Sequence, residues 1–229
     1  YQGFDPSMPS LHLGNFVGLM KLRQFQRLGH KVIFLVGDFT GMIGDPTDKL
    51  ATRKKLTREQ VLKNAKAWKE QAGRVLNFQG ANPAKIKFNS EWLDKVSFKG
   101  LIDITSNFTY AQMIERDMYQ KRIKDNKNIF FHEFLYPIAQ AYDSVAMDVD
   151  LEIGGNDQLF NMLAGRTLMK AMLDKEKFVI TNRLLVDAAS GKKLSKTEGS
   201  LVNLDDEPND MFGRVMAMPD EMIPHVAEL

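Results

Sequence analysis

Five short apolar runs are spaced along the chain, and stretches with helical periodicity separate them. The runs cover residues 1–4, 32–36, 86–88, 151–153 and 178–180. Between the second and third runs, apolar residues recur every three or four positions at Val61, Ala65, Trp68, Ala72 and Val75. This alternation predicts an α/β fold, because parallel strands are joined by long crossover segments that are usually helical. We therefore expect a parallel sheet with helices on both of its faces.

Residues 90–127 lie between the first three apolar runs and the last two, and residues 109–123 have helical periodicity. The composition of this segment does not mark a linker. We therefore expect a helical insert between the two half-sheets of a Rossmann-like fold. Residues 37–49 follow the second run and are rich in Gly, Asp, Thr and Pro. They predict a loop at the carboxyl end of a strand, where open α/β sheets bind ligands.

Helix ends are marked at two places. The first predicted helix carries the apolar residues Leu13, Phe16, Val17, Met20 and Leu28. Gly29 follows directly and predicts its end, because glycine is common just after a helix. Further along, Thr57 and Gln60 have the spacing of a capping box, which predicts that another helix begins there.

Composition narrows the kind of protein that this chain can be. The 229 residues are 44% hydrophobic and 26% charged, which is typical of a globular domain. No apolar run approaches the roughly 18 residues of a membrane span. The lack of cysteine excludes disulfides and thiolate zinc sites. A formal charge of +2 does not by itself indicate a nucleic-acid partner, and the basic segments 49–69 and 121–127 are most simply solvated faces.

Two short motifs stand near opposite ends of the chain, His12-Leu13-Gly14-Asn15 and Lys193-Leu194-Ser195-Lys196-Thr197. An imidazole and a glycine at a helix start let phosphate approach backbone N–H groups and the positive end of the helix dipole. Two lysines three residues apart supply cations for a phosphoryl group that gains negative charge in the transition state. Taken alone, His12 is more simply a helix-start histidine with a local hydrogen bond.

Together the two motifs resemble the HIGH and KMSKS signatures of class I aminoacyl-tRNA synthetases. They depart from the signatures at Asn15, Leu194 and Thr197. Because a carboxamide cannot become a cation, we expect Asn15 to position the nucleotide and not to transfer protons. Between the motifs, Gly154-Gly155-Asn156-Asp157-Gln158 follows an apolar run and begins a predicted helix. The glycines permit close backbone approach, and Asp157 can bind a ribose hydroxyl, cap the helix, or do both.

A polar face on the helix predicted near residues 131–145 indicates a polar guest. Tyr136, Gln140 and Asp143 are spaced to share one side of this helix, while apolar residues around them indicate that it is buried. This segment and residues 1–5 resemble the tyrosyl-tRNA synthetases of bacterial type, and the similarity extends over nearly all of the chain. The resemblance implies that Tyr1 and Asp143 hydrogen-bond the phenol of the substrate.

The same resemblance implies roles for other residues. Asp45, Tyr136 and Gln140 would hold the substrate ammonium group, and Asn89 would be a further pocket residue. Gln158 would face the reacting carboxylate and the α-phosphate. The nucleotide would contact Gly3, Asp5, Gly14, Gly154, Gly155, Asp157 and Lys196. The residues that act on the phosphates would be Ser7, His12, Asn15, Lys49, Arg53, Lys193 and Lys196.

The implied reaction activates L-tyrosine with ATP and transfers the tyrosyl group to tRNA. Mg²⁺ would accompany ATP, held mainly by phosphates and water, and no protein-bound structural metal is expected. The family works as a cytoplasmic homodimer, with the insert, about residues 98–134, at the interface. Residues from about 190 to 229 would form the signature-lysine loop and the helices after it. The anticodon-binding domains are expected to lie outside this sequence.

Three other functions fit parts of the sequence. A tryptophanyl-tRNA synthetase would share the fold and both signatures, but Asp143 with Tyr1 favours a phenol over an indole. A nucleotidyltransferase with a similar phosphate motif would explain the nucleotide residues but not the polar face from Tyr136 to Asp143. A noncatalytic RNA-binding relative would use the basic segments, and the intact signature motifs argue against it.

Overall fold

The computed structural model describes residues 1–46, 56–186 and 201–227, and its strands form two parallel sheets. The first has the order β1-β2-β3, and the second pairs β4 with β5. The strands are β1 (Gln2–Phe4), β2 (Ile33–Val36), β3 (Lys85–Phe88), β4 (Leu151–Gly155) and β5 (Phe178–Asn182). All five predicted strands are confirmed, each within two residues of its predicted ends.

The two sheets meet edge to edge at the start of the chain. The amino nitrogen of Tyr1 donates to the Leu151 carbonyl at 2.8 Å, and the Ile153 N–H donates to the Tyr1 carbonyl at 2.9 Å. The strands therefore lie side by side in the order β3-β2-β1-β4-β5, and the chain reverses its direction of progress across the sheet between β1 and β4. In such folds the crevice beyond the carboxyl ends of the two strands at this reversal is where ligands bind.

The described residues form twelve α-helices. They are α1 (Leu13–Arg27), α2 (Thr40–Ile43), α3 (Arg58–Ala65), α4 (Trp68–Gly73), α5 (Ser90–Leu93), α6 (Phe98–Thr105), α7 (Tyr110–Ile114), α8 (Asp117–Lys124), α9 (Leu135–Met147), α10 (Leu159–Leu173), α11 (Pro208–Met216) and α12 (Ile223–Ala227). Short 3-10 turns occupy Phe131–Phe134, Asn156–Gln158 and Asp220–Met222. None of the described helices is long and apolar enough to cross a membrane.

Three predictions about the helices need correction. The segment predicted as a loop after β2 contains the helical turn α2. The stripe from Val61 to Val75 is divided between two helices, α3 and α4, and Val75 lies beyond the end of α4, although the first four residues of the stripe are buried as expected. In α1 the buried residues are Gly18, Leu19, Leu22 and Gln26, whereas Leu28 is 76% exposed beyond the end of the helix.

The core lies between the first sheet and the helices that cover it. Phe34 stacks on Phe4 with ring centroids 5.0 Å apart and meets the edge of Trp68 at 6.4 Å. Leu19 and Leu22 of α1 pack into the same cluster. A second cluster joins the insert helices to α9 and α10, where Ile104, Met113, Ile138 and Leu168 are buried. These two clusters hold β1, β4 and α9 in place around the crevice.

Candidate active site

A cavity of about 250 Å³ opens at the carboxyl ends of β1 and β4, where the order of the strands reverses. Every predicted site residue that the structure describes lines it. These residues are Tyr1, Gly3, Asp5, Ser7, His12, Gly14, Asn15, Asp45, Asn89, Tyr136, Gln140, Asp143, Gly154, Gly155, Asp157 and Gln158. Residues from β1, β3 and β4 or just after them, from α1 and α9, and from the segment after α2 therefore meet in one place, although up to 157 positions separate them in the chain.

Tyr1 and Asp143 form the inner, buried end of the cavity. The Tyr1 hydroxyl lies 2.9 Å from Ser144 Oγ. The Asp143 carboxylate, only 2% exposed, accepts from Trp92 Nε1 at 2.8 Å and from Asn89 Nδ2 at 3.3 Å. Burial raises the pKa of the Asp143 carboxyl group well above its usual range. Burial together with nearby Glu152 also raises the pKa of the Tyr1 hydroxyl. A hydroxyl and a carboxyl group with little water around them can together bind a polar group of a ligand.

Asn89 lines the cavity and donates a hydrogen bond to Asp143. It is fully buried, and its side-chain oxygen accepts from the Phe39 N–H at 2.9 Å. Its side-chain nitrogen donates to Thr40 Oγ1 at 3.0 Å as well as to Asp143. With both ends of the carboxamide bound to the protein, Asn89 fixes the orientation of the Asp143 carboxylate.

The wall beside α9 is acidic. Tyr136 donates its hydroxyl to Asp5 Oδ2 at 2.8 Å, and Gln158 Nε2 donates to Asp45 Oδ2 at 2.6 Å. Gln140 Nε2 donates to Glu152 Oε1 at 3.1 Å. Burial and the neighbouring Asp5 raise the pKa of Tyr136 well above its usual range. Because several carboxylates converge here, this wall is suited to a ligand cation such as an ammonium group.

Asp5 lies on this acidic wall, although the sequence grouped it with the nucleotide residues. Its second oxygen accepts from Thr40 Oγ1 at 2.7 Å. Gly37 makes the contact possible, because a Cβ there would lie 2.0 Å from Asp5 Oδ1 and 2.4 Å from Thr40 Oγ1. Thr40 and Gly37 were not among the predicted site residues, although both line the cavity.

His12 and Asn15 form the N-terminal cap of α1. The Gly14 N–H donates to His12 Nδ1 at 3.1 Å, and the His12 N–H donates to Asn15 Oδ1 at 3.0 Å. The local hydrogen bond of a helix-start histidine is therefore formed, and His12 also lines the cavity, as its assignment to the phosphates requires. Because Nδ1 is an acceptor, the neutral imidazole carries its hydrogen on Nε2. The positive end of the α1 dipole lies at the same place.

The turn after β4 depends on two glycines for space. A Cβ on Gly154 would lie 2.8 Å from Met162 Sδ. One on Gly155 would lie 2.5 Å from Asp157 Oδ1 and 2.6 Å from Leu184 Cδ2. Gly155 has an ordinary φ of −69°, so the requirement here is for room and not for an unusual backbone conformation.

Sequence reasoning missed the last residue of β5 and the residues that follow it. Asn182, Arg183, Leu184 and Leu185 all line the cavity. Asn182 Nδ2 is buried and has no hydrogen-bond partner within the part of the chain that the structure describes. Their position at the carboxyl end of a parallel strand was the signal that could have identified them, because such ends gather at one edge of a sheet.

Residues just beyond the second motif lie beside the first. The Leu13 N–H donates to the Val202 carbonyl at 2.9 Å, and the Leu204 N–H donates to the Leu11 carbonyl at 2.7 Å. The predicted residues Lys49, Arg53, Lys193 and Lys196 lie outside the described residues. Within the described ranges, no group of three or more His, Cys, Asp or Glu side chains could hold a metal ion.

Curated relatives and a family model match nearly the whole chain. The model described as tRNA synthetases class I (W and Y) matches residues 1–229. The tyrosine–tRNA ligase of Haemophilus influenzae is 52% identical over 221 residues, which are 96% of this chain and 54% of that protein. The ligase of Helicobacter pylori is 50% identical over 222 residues, with the same coverage. The chain thus spans about half the length of the curated relatives that it matches.

Solved structures have the same fold. A C-terminally truncated mitochondrial tyrosyl-tRNA synthetase from Coccidioides posadasii is 27% identical with a TM-score of 0.69, covering 84% of this chain and 60% of that one. A tyrosyl-tRNA synthetase from Archaeoglobus fulgidus, complexed with L-tyrosine, has a TM-score of 0.72 at 22% identity, covering 96% and 64%. The strand-end cavity, the two motifs and the match over all 229 residues lead to one assignment: this chain belongs to the class I tRNA synthetases (W and Y).

Proposed function

We propose that this chain is the catalytic part of a tyrosine–tRNA ligase, which activates L-tyrosine with ATP and then transfers the tyrosyl group to tRNA. The observation that carries the proposal is that Tyr1 and Asp143 are both buried and both line the cavity. A phenol placed there can donate to the carboxylate and accept from the Tyr1 hydroxyl. Phenylalanine would leave both groups buried without that partner, which costs free energy.

The opposite end of the substrate matches the acidic wall. An α-ammonium group would lie among Asp45, Tyr136 and Gln140, with Asp5 directly behind the Tyr136 hydroxyl. This wall attracts a cation and repels a carboxylate. The substrate carboxylate therefore turns toward Gln158 and the nucleotide side of the cavity.

ATP would occupy the side formed by α1, the turn after β4 and the residues after β5. Phosphates would lie against the start of α1 at His12 and Gly14, with Ser7 beside them. Asp157 would bind the ribose, and the residues from Asn182 to Leu185 would surround the base. Mg²⁺ would travel with the phosphates and water, because it retains much of its hydration in such complexes.

The first step forms a bond between a carboxylate oxygen of tyrosine and the α-phosphorus of ATP. The bond from that phosphorus to the bridging oxygen breaks, and pyrophosphate leaves with the electron pair. The carboxylate is already ionised at neutral pH, so no protein base is required. The protein positions the reactants and stabilises the charge that grows on the phosphates, for which we assign Lys49, Arg53, Lys193 and Lys196 in addition to His12.

We further propose that the enzyme is a cytoplasmic homodimer that associates through the insert. Aromatic side chains on this segment are strongly exposed, with Phe98 at 79% and Phe131 at 80%. Ile102, Tyr110 and Phe130 are also more than half exposed. Exposed apolar surface of this kind is typical of a protein contact.

Tyrosine-dependent exchange of pyrophosphate into ATP tests the activity. Exchange should need tyrosine, and tryptophan should not replace it. Lys196→Ala should lower the exchange rate far more than it weakens tyrosine binding, because the lysine acts on charge that develops in the transition state. A parallel loss of binding and rate would refute that role. Exchange supported only by tryptophan would refute the substrate assignment.

A further inference from the structure

Lys177, just before β5, has its ammonium group buried behind the cavity. The side chain is 0% exposed. Its three N–H donors have three acceptors: the Glu152 carboxylate in a close ion pair, Ser144 Oγ at 2.8 Å and the Met162 carbonyl at 3.1 Å. A buried charge is costly unless it is paired and hydrogen-bonded, and this one is both. The reaction described above makes no use of this group.

The ammonium group reaches the phenol end of the cavity through Ser144. Because an ammonium group can only donate, Ser144 Oγ accepts from Lys177 and keeps its own hydrogen for another partner. The Tyr1 hydroxyl lies 2.9 Å away and can accept that hydrogen. In this arrangement the Tyr1 hydrogen is directed away from Ser144, and either a ligand or the Glu152 carboxylate, which also lies within hydrogen-bonding reach of the Tyr1 hydroxyl, can accept it. The Lys177 ammonium also lies 5.9 Å from the centre of the Tyr1 ring.

The same ion pair reaches the ammonium end of the site through Glu152. One oxygen of Glu152 accepts from Lys177, and the other accepts from Gln140 Nε2 at 3.1 Å. Gln140 Oε1 accepts from Asn161 Nδ2 at 3.0 Å. Asn161 Nδ2 also donates to Gln158 Oε1 at 2.9 Å. The orientation of the Gln140 carboxamide is therefore determined on both sides.

Gly165 in α10 leaves the space that the ammonium group occupies. A Cβ there would lie 2.3 Å from Lys177 Nζ and 2.9 Å from Ser144 Oγ. Glycine inside a helix is less favourable than alanine. Gly165 therefore lowers the intrinsic stability of α10 but leaves room for the Lys177 ammonium group.

We propose that the Lys177–Glu152 ion pair positions both ends of the amino-acid site, directing the Tyr1 hydrogen toward the substrate phenol through Ser144 and fixing the Gln140 carboxamide through Glu152. Lys177, Glu152 and Ser144 are positioning residues that need not touch the substrate. This inference rests on the proposed function, because it takes tyrosine as the ligand of the cavity.

Calorimetric binding of tyrosine and of two analogues tests the proposal. Phenylalanine lacks the phenol oxygen, and 3-(4-hydroxyphenyl)propionate lacks the ammonium group. Ser144→Ala should weaken tyrosine and the propionate by about tenfold, the size of one hydrogen bond, and leave phenylalanine within about twofold. An equal loss for phenylalanine and tyrosine would mean a general structural effect and would overturn the proposal, as would unchanged tyrosine binding.

The second variant removes the ion pair without leaving a lone buried charge. Lys177→Met with Glu152→Gln should weaken tyrosine more than either analogue, because only tyrosine uses both ends. Equal losses for all three ligands would contradict the proposal. Lys170→Met with Asp174→Asn removes an exposed pair at 2.5 Å and is the matched control, which should bind tyrosine as the unmodified chain does. Circular dichroism checks that each variant is folded.

The unmodified chain separates this inference from the proposed activity. Tyrosine binding without pyrophosphate exchange would refute the activity, and the binding comparisons would still decide the role of the ion pair. Failure of the unmodified chain to bind tyrosine would overturn both.

Discussion

Replacement of Asp143 by alanine is the sharpest test of how the cavity selects its substrate. The carboxylate is buried in the C-terminal half of α9 and accepts hydrogen bonds from Trp92 Nε1 and Asn89 Nδ2. Alanine removes the acceptor for both donors and for a substrate phenol. It also removes a carboxyl group whose pKa is raised by burial, so part of the cost of burying that group disappears.

The expected magnitudes differ for binding and for folding. A hydrogen bond to a charged group contributes about 1.5–3 kcal/mol, so the kcat/KM for tyrosine should fall by about 10- to 150-fold. Phenylalanine has no phenol, so its kcat/KM should stay level or rise. An unpaired buried donor costs about 1–3 kcal/mol, but water from the cavity can reach the space left by the carboxylate. We therefore expect a loss of folding free energy of about 1–2 kcal/mol, which is less than the roughly 2–6 kcal/mol that two fully orphaned donors would cost.

Pyrophosphate exchange with each amino acid, together with urea unfolding, measures both quantities. Trp92→Phe is the matched control, because it removes one donor to the carboxylate and leaves Asp143 in place. It should lower stability with only a small change in the preference for tyrosine over phenylalanine. Asp143→Ala with an unchanged preference would refute the pocket assignment, even if its stability fell as expected.

Two further predictions follow from particular contacts. Gly155→Ala should raise the KM for ATP by about tenfold or more, because the new methyl group would displace Asp157 or Leu184, and it should change tyrosine binding little. An unchanged KM for ATP in exchange kinetics would show that this turn does not bind the nucleotide. Burial is the largest single influence on the pKa of Glu133 and raises it, but the ion pair with Arg122 and the hydrogen bond from the Phe130 N–H together lower the pKa from 4.5. A carboxyl group with a lowered folded-state pKa contributes stability above its unfolded pKa and loses it as the pH falls through the folded value. Glu133→Gln should therefore lose less stability than the unmodified chain as the pH falls below about 4.5 in urea unfolding, and identical pH profiles would contradict this reasoning.

Local patterns in the sequence predicted much of the fold correctly. The capping box at Thr57 and Gln60 is formed, with the Thr57 N–H donating to Gln60 Oε1 at 2.9 Å. The polar face of α9 does line the cavity, because residues spaced by four and by seven positions share one side of a helix. Such features depend on neighbours within one or two turns, and so they can be inferred without knowledge of the packing.

Periodicity was less informative where packing chooses between similar faces. Leu28 belongs to the apolar set of the first helix in the sequence, yet the helix ends at Arg27 and Leu28 is exposed. Gln26 is buried instead, because its carboxamide bonds the Asn77 carbonyl at 2.6 Å and the Asn82 carbonyl at 3.0 Å. Those partners are more than 50 residues away, and no local pattern points to them.

The sequence by itself determined the order of strands and helices and the residue types at the strand ends, since these follow from local periodicity, caps and motifs. Only the tertiary structure decided how those residues connect. Lys177 gave no signal in the sequence, because a lysine before a strand is ordinarily solvated. It became part of the site when parallel pairing of β4 and β5 brought it to Glu152 and Ser144, contacts that span 25 and 33 residues of the chain.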